Sequence, residues 1–180
     1  MPTSTPPGSR TTIDDVLFLL SLAEHAGARL WIDGGWGVDA LLGAQTREHG
    51  DLDVAIEQRH LGPFLDGLSG HGFVPVEEEG ATEWNFLMRN ATGVVVDLHV
   101  IVVDAEGNGV LGPPEAGNAY PAASLTGRGT IADRPVDCIT ADWAVRFRDA
   151  YTGDAADRAD VQALCRRFAL PVPQQYQGIG

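Results

Sequence analysis

Cysteine, basic residues and long apolar runs are all scarce in this sequence of 180 residues. The two cysteines, Cys138 and Cys165, show neither a CxxC motif nor the Cys/His spacing of a zinc site. This usage argues against a disulfide framework and fits a reducing compartment. The early apolar run VLFLLSLA is too short to span a bilayer, and it follows Asp14 and Asp15 rather than the basic segment of a signal peptide. We therefore predict a cytoplasmic protein with no membrane partner.

Acidic residues outnumber basic residues by 25 to 12, so the net charge is −13. Nucleic-acid backbones are bound by clusters of Lys and Arg, so this balance argues against a nucleic acid as the main partner. The balance would suit a small cationic molecule, although a solvated acidic surface explains the same numbers. With 44% hydrophobic and 21% charged residues, the chain has the composition of an ordinary globular domain.

The order of apolar patterns predicts a mixed α/β fold in which one sheet is backed by helices. The Gly- and Pro-rich stretch 104–123 predicts a boundary between a main domain over 1–105 and a smaller loop, hairpin and helical region over 106–180. The tail after Pro171 is predicted to be loose. Helices are predicted for 12–26, 36–43, 60–70, 141–151 and 154–168, strands for 28–33, 51–56, 72–78, 84–90 and 93–103, and a hairpin within 126–140.

The segment HGDLDVAI, residues 49–56, places two aspartates at the head of an apolar strand. Side chains alternate along a strand, so Asp51 and Asp53 would point to the same face, about 6.6 Å apart. Like charges on one strand face repel each other unless a positive group lies between them. Taken alone, the two residues allow either a surface pair or a Ca²⁺ site.

Two further features could join this pair in one site. Gly34 and Gly35 lie between a predicted strand and a predicted helix, where glycine lets the backbone approach a phosphate and the helix N-terminus offers free N–H groups. A simple tight turn explains the same glycines. Asp97 interrupts a β-branched strand that should be buried, where a carboxylate is unstable unless it is paired, protonated or bound to a cation.

Three aspartates on two strands favour Mg²⁺ as the cation, because Mg²⁺ prefers hard oxygen ligands from carboxylates and substrate phosphates. Two such ions, roughly 3.5–4 Å apart, can activate an attacking hydroxyl and stabilise a leaving pyrophosphate. Phosphoryl transfer depends mainly on positioning and on neutralising charge, and these residues could supply both.

The blocks GGWGVDALLG and TREHGDLDV resemble the signature of antibiotic nucleotidyltransferases in the DNA polymerase beta-type superfamily. Within it, the sequence is most similar to the lincosamide nucleotidyltransferases and next to the aminoglycoside 2''-nucleotidyltransferases. The similarity continues through VDLHVI, PPEAGNAYP, DRPVDCIT and DAYTGDAADRADV, so it spans most of the chain. It implies a nucleotidyltransferase fold with a mixed, mainly antiparallel sheet, in which residues 1–105 form the catalytic domain.

The resemblance also implies an activity and a cofactor. The chain would transfer a nucleoside monophosphate, AMP by first expectation, from an NTP to a hydroxyl of a lincosamide- or aminoglycoside-type antibiotic, and would release pyrophosphate. ATP is the expected co-substrate, two Mg²⁺ ions are the expected cofactor, and a homodimer is left open.

Roles for individual residues follow from the same resemblance. Asp51 and Asp53 would bind Mg²⁺, and Asp97 would either bind metal or act as the general base toward the acceptor hydroxyl. Arg47 suits bidentate phosphate binding, and Trp36 would pack beneath the glycine turn. The residues expected to bind the nucleotide are Gly34, Gly35, Trp36, Arg47 and His49.

Several residues keep two interpretations. His99 shares a face with Asp97, so it could touch the site or serve as a hydrogen-bonded core histidine. The run 77–79, three glutamates, predicts a solvated edge. The segment that opens with Glu83, Trp84 and Asn85 departs from the lincosamide pattern, so it would alter acceptor preference if it faces the acceptor. Three C-terminal residues could approach the nucleotide or merely pack: Tyr151, Asp157 and Asp160.

Two other functions remain open. One is a non-catalytic nucleotide- or ligand-binding protein on the same fold, although the loss of an acidic residue would be its simplest mark and all three aspartates are present. The other is a toxin-type nucleotidyltransferase that acts on a protein or a tRNA. The low content of Lys and Arg weighs against tRNA.

Overall fold

The computed structural model describes residues 8–112 and 119–177, and these residues form helices packed on one mixed sheet. The helices are α1 (Ile13–His25), α2 (Gly34–Leu42), α3 (Gln58–Gly70), α4 (Ala141–Asp149) and α5 (Ala155–Phe168). The strands are β1 (Leu30–Ile32), β2 (Leu52–Glu57), β3 (Val74–Pro75), β4 (Asn85–Arg89), β5 (Val95–Val103), β6 (Gly109–Leu111), β7 (Ala119–Tyr120), β8 (Gly127–Ile131) and β9 (Arg134–Cys138).

Local sequence signals account for most of these boundaries. Thr12 caps α1 with a capping box, in which its hydroxyl accepts from the backbone N–H of Asp15 and the Asp15 carboxylate accepts from the backbone of Thr12. Helix α2 begins at Gly34, two residues earlier than predicted, because the side chain of Asp33 caps it. The expected long strand over 72–78 was wrong in extent, since β3 has two residues and the chain then leaves the sheet.

The sheet has the strand order β3-β4-β5-β2-β1-β9-β8, and β6 pairs with both β5 and β7. Strand β2 runs parallel to β5 and β1 runs parallel to β9, whereas the other pairs are antiparallel. The predicted mixed, mainly antiparallel sheet backed by helices is therefore confirmed. Strands from both sides of residue 105 belong to this one sheet, and the division of the chain at that point stays a prediction.

The two faces of the sheet are covered unequally. One face carries Ile32, Val54 and Leu98, which pack with residues of α1 and α3 in one apolar cluster. The opposite face carries Trp31 and Ala55, which pack with residues of α4 and α5 in a second cluster. Because side chains alternate along a strand, Asp53 and Asp97 lie on this second face, where the apolar cover ends.

The chain from Pro171 to residue 177 is anchored rather than loose, which corrects the prediction for this part of the tail. A short 3₁₀-helix, Gln174–Tyr176, buries the Tyr176 ring, and its hydroxyl donates to the backbone carbonyl of Arg148 at 2.7 Å. None of the helices within 8–112 and 119–177 is long and apolar enough to cross a membrane. Residues 113–118, which carry most of the PPEAGNAYP block, lie outside the described residues.

Candidate active site

The parallel pairing of β2 and β5 brings two of the predicted aspartates side by side. Asp53 and Asp97 are register partners, so their side chains leave the same face of the sheet at the same level. His99 follows two residues later on the same face of β5. Asp53, Asp97 and His99 each offer one ligand atom, and these three atoms all lie within 4.8 Å of one another.

Negative charge accumulates around Asp53. Burial raises the pKa of the Asp53 carboxyl well above its usual value, and the carboxylates of Asp51, Asp97 and Asp33 raise it further. The nearby guanidinium of Arg148 acts in the opposite direction but does not reverse the shift. Asp51 therefore lies within electrostatic range of Asp53, although it is not one of the three residues grouped within 4.8 Å.

This arrangement fits a hard divalent cation. Buried carboxylates that repel one another are stabilised when a cation lies between their oxygens, and Mg²⁺ takes ligands of this kind together with water and phosphate oxygens. The imidazole of His99 is a softer ligand and is less suited to Mg²⁺ than the two carboxylates are. Asp53 and Asp97 are therefore the residues of this cluster that best fit a magnesium ion.

The glycine turn lies directly against Asp53. Asp33 connects the two, because its backbone N–H donates to the Asp53 carbonyl at 2.9 Å and its side chain accepts from the Gly34 N–H at 2.8 Å. Gly34 has a φ of +55°, and a Cβ added there would lie 1.9 Å from Oδ2 of Asp53. Both the backbone conformation and the close approach of the carboxylate therefore require glycine at this position.

Four of the predicted nucleotide-binding residues come together around the second glycine. A Cβ added at Gly35 would lie 2.3 Å from Nδ1 of His49 and 2.7 Å from Nη2 of Arg47. The His49 ring is buried, packs against Trp36 with 4.6 Å between ring centroids, and makes a 2.5 Å hydrogen bond through Nε2 to Asp39. Their role in binding a nucleotide stays a prediction.

Arg47 also connects this turn to the C-terminal helices. Its Nε and Nη2 donate to the two carboxylate oxygens of Asp160 in α5, at 3.2 and 2.9 Å. Arg148 of α4 approaches the same carboxylate, with 3.5 Å between Nη2 and Oδ2 of Asp160. Asp160 and Arg148 are only 3% and 5% exposed, so the buried ionic network formed by Arg47, Asp160 and Arg148 holds α4 and α5 against the turn that precedes β2.

A cleft of about 520 Å³ opens on the other side of the carboxylates. Tyr120 is central to it, because its hydroxyl donates to Oδ2 of Asp33 at 3.0 Å and its ring meets Phe147 edge-on, with 5.5 Å between centroids. Burial and the negative charge of Asp33 raise the pKa of Tyr120 well above its usual value, so the phenol stays protonated and donates at neutral pH. The cleft is lined mainly by aromatic and polar side chains, among them Trp84, Asn85, His99, Tyr120, Phe147 and Tyr151.

Sequence reasoning missed three residues that the structure brings to this site: Glu78, Tyr120 and Arg148. Glu78 belongs to the run predicted as a solvated edge, yet its Oε1 is buried, and its pKa is raised by burial and by the charge of Asp97. Nothing in its local pattern separates Glu78 from its two glutamate neighbours. Arg148 lies in a helix whose polar pattern resembles a solvent-facing surface, and only tertiary packing makes it buried.

We expect Gly34→Ala to lower kcat by about a hundredfold or more, because the added Cβ would displace the Asp53 carboxylate and misplaced reacting groups cost this much. Steady-state transfer assays well below the melting temperature of the variant measure the effect. Gly62→Ala is the matched control, since a Cβ there meets nothing within 4 Å and the position lies in helix α3. Wild-type turnover by Gly34→Ala would contradict the tight placement of Asp53.

Comparisons with known proteins agree with this geometry. The family model described as aminoglycoside-2''-adenylyltransferase matches residues 15–164. A lincosamide resistance protein of Staphylococcus haemolyticus is 28% identical over 156 residues, which cover 87% of this chain and 96% of that protein. The residues matched by the family model include the glycine turn, β2, β5, α4 and most of α5.

Two solved structures share the fold over most of the chain. The lincomycin-bound lincosamide antibiotic adenylyltransferase LnuA superposes with a TM-score of 0.75 at 27% identity, and the match covers 87% of this chain and 98% of that one. The aminoglycoside enzyme ANT(2'')-Ia, in complex with adenylyl-2''-tobramycin, superposes with a TM-score of 0.68 at 22% identity, covering 87% and 88% of the two chains. The chain therefore belongs to the aminoglycoside-2''-adenylyltransferase family and is a nucleotidyltransferase.

Proposed function

We propose that this nucleotidyltransferase transfers AMP from ATP to a hydroxyl group of a lincosamide- or aminoglycoside-type antibiotic, in the presence of Mg²⁺, and releases pyrophosphate. The observation that carries the proposal is the register pairing of Asp53 with Asp97 beside the glycine turn. This pairing puts two carboxylates that could bind a cation between the glycine turn and the aromatic cleft.

The residues of the turn are suited to a triphosphate. Gly34 and Gly35 form the first residues of α2, where the positive end of the helix dipole favours negative charge, although the N–H of Gly34 itself is donated to Asp33. Arg47 lies next to Gly35 and could donate to phosphate oxygens from the side that Asp160 does not occupy. Bound Mg²⁺ would supply Lewis-acid stabilisation of the charge that develops on the phosphate oxygens.

Asp97 is the residue best placed to act on the acceptor. It lies between Asp53 on β2 and the β4 side of the sheet, where the aromatic cleft opens. A carboxylate in this position can accept the proton of an acceptor hydroxyl as that oxygen attacks phosphorus. The aromatic walls would hold the acceptor and keep water from competing with its hydroxyl.

The proposal is supported by the relatives of this chain, which include a lincosamide resistance protein and a lincomycin-bound adenylyltransferase. This chain matches nearly the whole length of both proteins. The match is therefore long enough to include a nucleotide-binding part and an acceptor-binding part. Lincomycin and tobramycin are accordingly the first acceptors to test.

Pyrophosphate release measured with each of the four NTPs, Mg²⁺ and a panel of hydroxylated antibiotics tests the proposal. We expect release that needs both acceptor and Mg²⁺, with ATP preferred, and an acceptor product heavier by one nucleoside monophosphate in mass spectrometry. Asp97→Asn supplies the matched inactive control. Tight NTP binding without transfer to any acceptor would contradict the proposal and favour a non-catalytic binding protein.

A further inference from the structure

The loop between β3 and β4 is ordered against the edge of the cleft. The backbone N–H of Val76 donates to the Leu87 carbonyl at 2.9 Å, and the N–H of Thr82 donates to the Asn85 carbonyl at 2.9 Å. The Thr82 hydroxyl in turn accepts from the N–H of Asn85 at 3.0 Å. These bonds hold the two ends of the segment between 76 and 85 against β4, and Gly80 and Thr82 within it line the cleft.

Asn85 faces the same side of the sheet as Asp97, and Glu78 of the loop lies within electrostatic range of Asp97. Asn85 is the register partner of His99, and Leu87 is the register partner of Asp97, so Asn85 shares the face of the reactive carboxylates and lines the cleft. Glu78 lies close enough to Asp97 for their charges to interact. Its neighbours Glu77 and Glu79 are exposed, whereas Glu78 is partly buried.

Both residues present oxygen atoms that need a donor. Oδ1 of Asn85 and Oε1 of Glu78 are buried, and within the described residues neither has a hydrogen-bond partner. A buried acceptor without a donor destabilises a fold, so each of these oxygens calls for a partner such as a water, an ion or a ligand. A carboxylate can only accept hydrogen bonds, and it binds cationic donors most strongly.

A metal ion bound by Asp53 and Asp97 would not supply a partner for the buried oxygen of Glu78. Asp53, Asp97 and His99 form the group that could hold a metal, and Glu78 is not a member of it. The cleft next to Asn85 is aromatic, with Trp84, Tyr120 and Tyr151 in its walls. Aromatic faces attract a cation as well as an apolar body, so the site combines acceptor oxygens with surfaces that suit an amphipathic amine.

We propose that Glu78 and Asn85 form an amine-binding subsite, in which their orphan oxygens receive the N–H donors of a protonated amine on the acceptor and so determine which hydroxylated molecules are modified. This inference rests on the proposed function, because it concerns the acceptor of that reaction. The subsite selects acceptors that carry a basic nitrogen near the reacting hydroxyl, and it discriminates against their uncharged analogues.

The test compares charged and uncharged forms of the same acceptors. Tobramycin is assayed beside fully N-acetylated tobramycin, and lincomycin beside a derivative in which an acyl group replaces the methyl group on the basic nitrogen. Glu78→Gln and Asn85→Ala are the test variants. Glu77→Gln and Glu79→Gln are matched controls, since they make the same charge change in the same loop at exposed positions.

We expect Glu78→Gln to raise KM for the charged acceptor about tenfold, with kcat changed by no more than about twofold. The KM for the uncharged analogue and for the NTP should stay near the wild-type values. Asn85→Ala should raise the same KM by a smaller factor, and the two controls should match wild type. Equal shifts for charged and uncharged acceptors, or equal shifts in the control variants, would overturn the subsite.

Direct binding separates this inference from the proposed function. Calorimetric titration of lincomycin and tobramycin into wild type and Glu78→Gln measures affinity without turnover. A wild type that binds the amines in a Glu78-dependent way but transfers no nucleotide would overturn the function and keep the subsite. Transfer to both acceptors with binding that is insensitive to Glu78 would keep the function and overturn the subsite.

Discussion

Replacing Asp53 with asparagine is expected to abolish nucleotidyl transfer and at the same time to stabilise the metal-free fold at neutral pH. The loss in kcat should be about a thousandfold or more, which corresponds to roughly 4 kcal/mol of barrier, because the carboxylate pair of β2 and β5 would lose one member. Asp51→Asn should likewise abolish transfer. Activity within about tenfold of wild type, under roughly 1.4 kcal/mol, in either variant would contradict the metal assignment.

The gain in stability follows from the direction of the Asp53 pKa. The folded-state pKa lies above the unfolded value, which is about 3.9 for an aspartate. The folded protein therefore binds this proton more tightly than the unfolded chain does, and its stability falls as the pH rises from the unfolded pKa toward the raised folded pKa. At neutral pH, which lies above the unfolded pKa, the wild type has therefore lost stability through this group, whereas Asp53→Asn has no charge to ionise.

Thermal unfolding in a chelating buffer measures this effect. Each kcal/mol gained should raise Tm by about 2–4 °C in a chain of this size, at pH 7 but not near pH 3, where Asp53 is protonated in both states. Asp66→Asn, an exposed change on α3, is the control for net charge. Added Mg²⁺ should raise the Tm of wild type and leave that of Asp53→Asn nearly unchanged. A lower Tm for Asp53→Asn at pH 7 would contradict the direction assigned to the pKa.

The part of the site carried by strands could be predicted from the sequence. Alternation within β2 and an aspartate inside the apolar β5 imply carboxylates on a buried sheet, and adjacent pairing of the two strands brings Asp53 and Asp97 into one row. The two glycines that open α2 were equally predictable, since strand-to-helix turns have a distinctive composition. Local periodicity and turn chemistry determine these features, so a single sequence contains them.

The part of the site made by long-range packing could not be predicted. Arg148 reaches Asp160 only because α4 and α5 pack together, and Tyr120 reaches Asp33 across 87 residues of chain. Glu78 differs from its neighbours Glu77 and Glu79 in burial, and the path of the loop in space determines that difference. Residue propensity and hydrophobic periodicity cannot predict such contacts. The contacts depend on how the elements are placed in space rather than on the pattern within one element.

The buried ionic network is the structural link between the C-terminal helices and the reactive centre. Asp160 accepts from Arg47 beside the glycine turn, and it lies next to Arg148, whose charge acts on Asp53. Tyr176 holds the same segment through the carbonyl of Arg148. The C-terminal helices therefore contribute positive charge to a site whose other charged groups are mostly carboxylates.

Replacing Asp160 with asparagine should produce the largest loss of stability among single changes in this region. The substitution would remove the buried carboxylate partner of Arg148, which is 5% exposed, and leave it only the more exposed Asp157 among the described residues. Breaking a buried ion pair on one side costs about 3–5 kcal/mol. We expect a Tm roughly 10 °C below wild type. Arg47 contributes less to this loss, because about a third of its side chain already reaches solvent.

Asp157→Asn is the matched comparison, since it makes the same change one helical turn earlier in α5. Its side chain is 20% exposed, lies 3.5 Å from Nε of Arg148 and also serves in the capping box of α5. Because exposed ion pairs contribute little, the loss should be about 1 kcal/mol, most of it from the cap. Chemical denaturation of both variants measures the difference in unfolding free energy. Equal losses in the two variants would contradict a special role for the buried network.

A paired substitution separates the structural role of the network from its electrostatic one. Replacing Asp160 with leucine and Arg148 with methionine removes both buried charges, and buried ion pairs can often be exchanged for apolar residues with little net loss. The double variant should therefore be more stable than Asp160→Leu alone. Its kcat should nevertheless stay at least about tenfold below wild type, because Asp53 would lose the nearby guanidinium and Arg47 would lose the carboxylate that orients it. Recovery of stability together with full activity would show that the network only supports the fold.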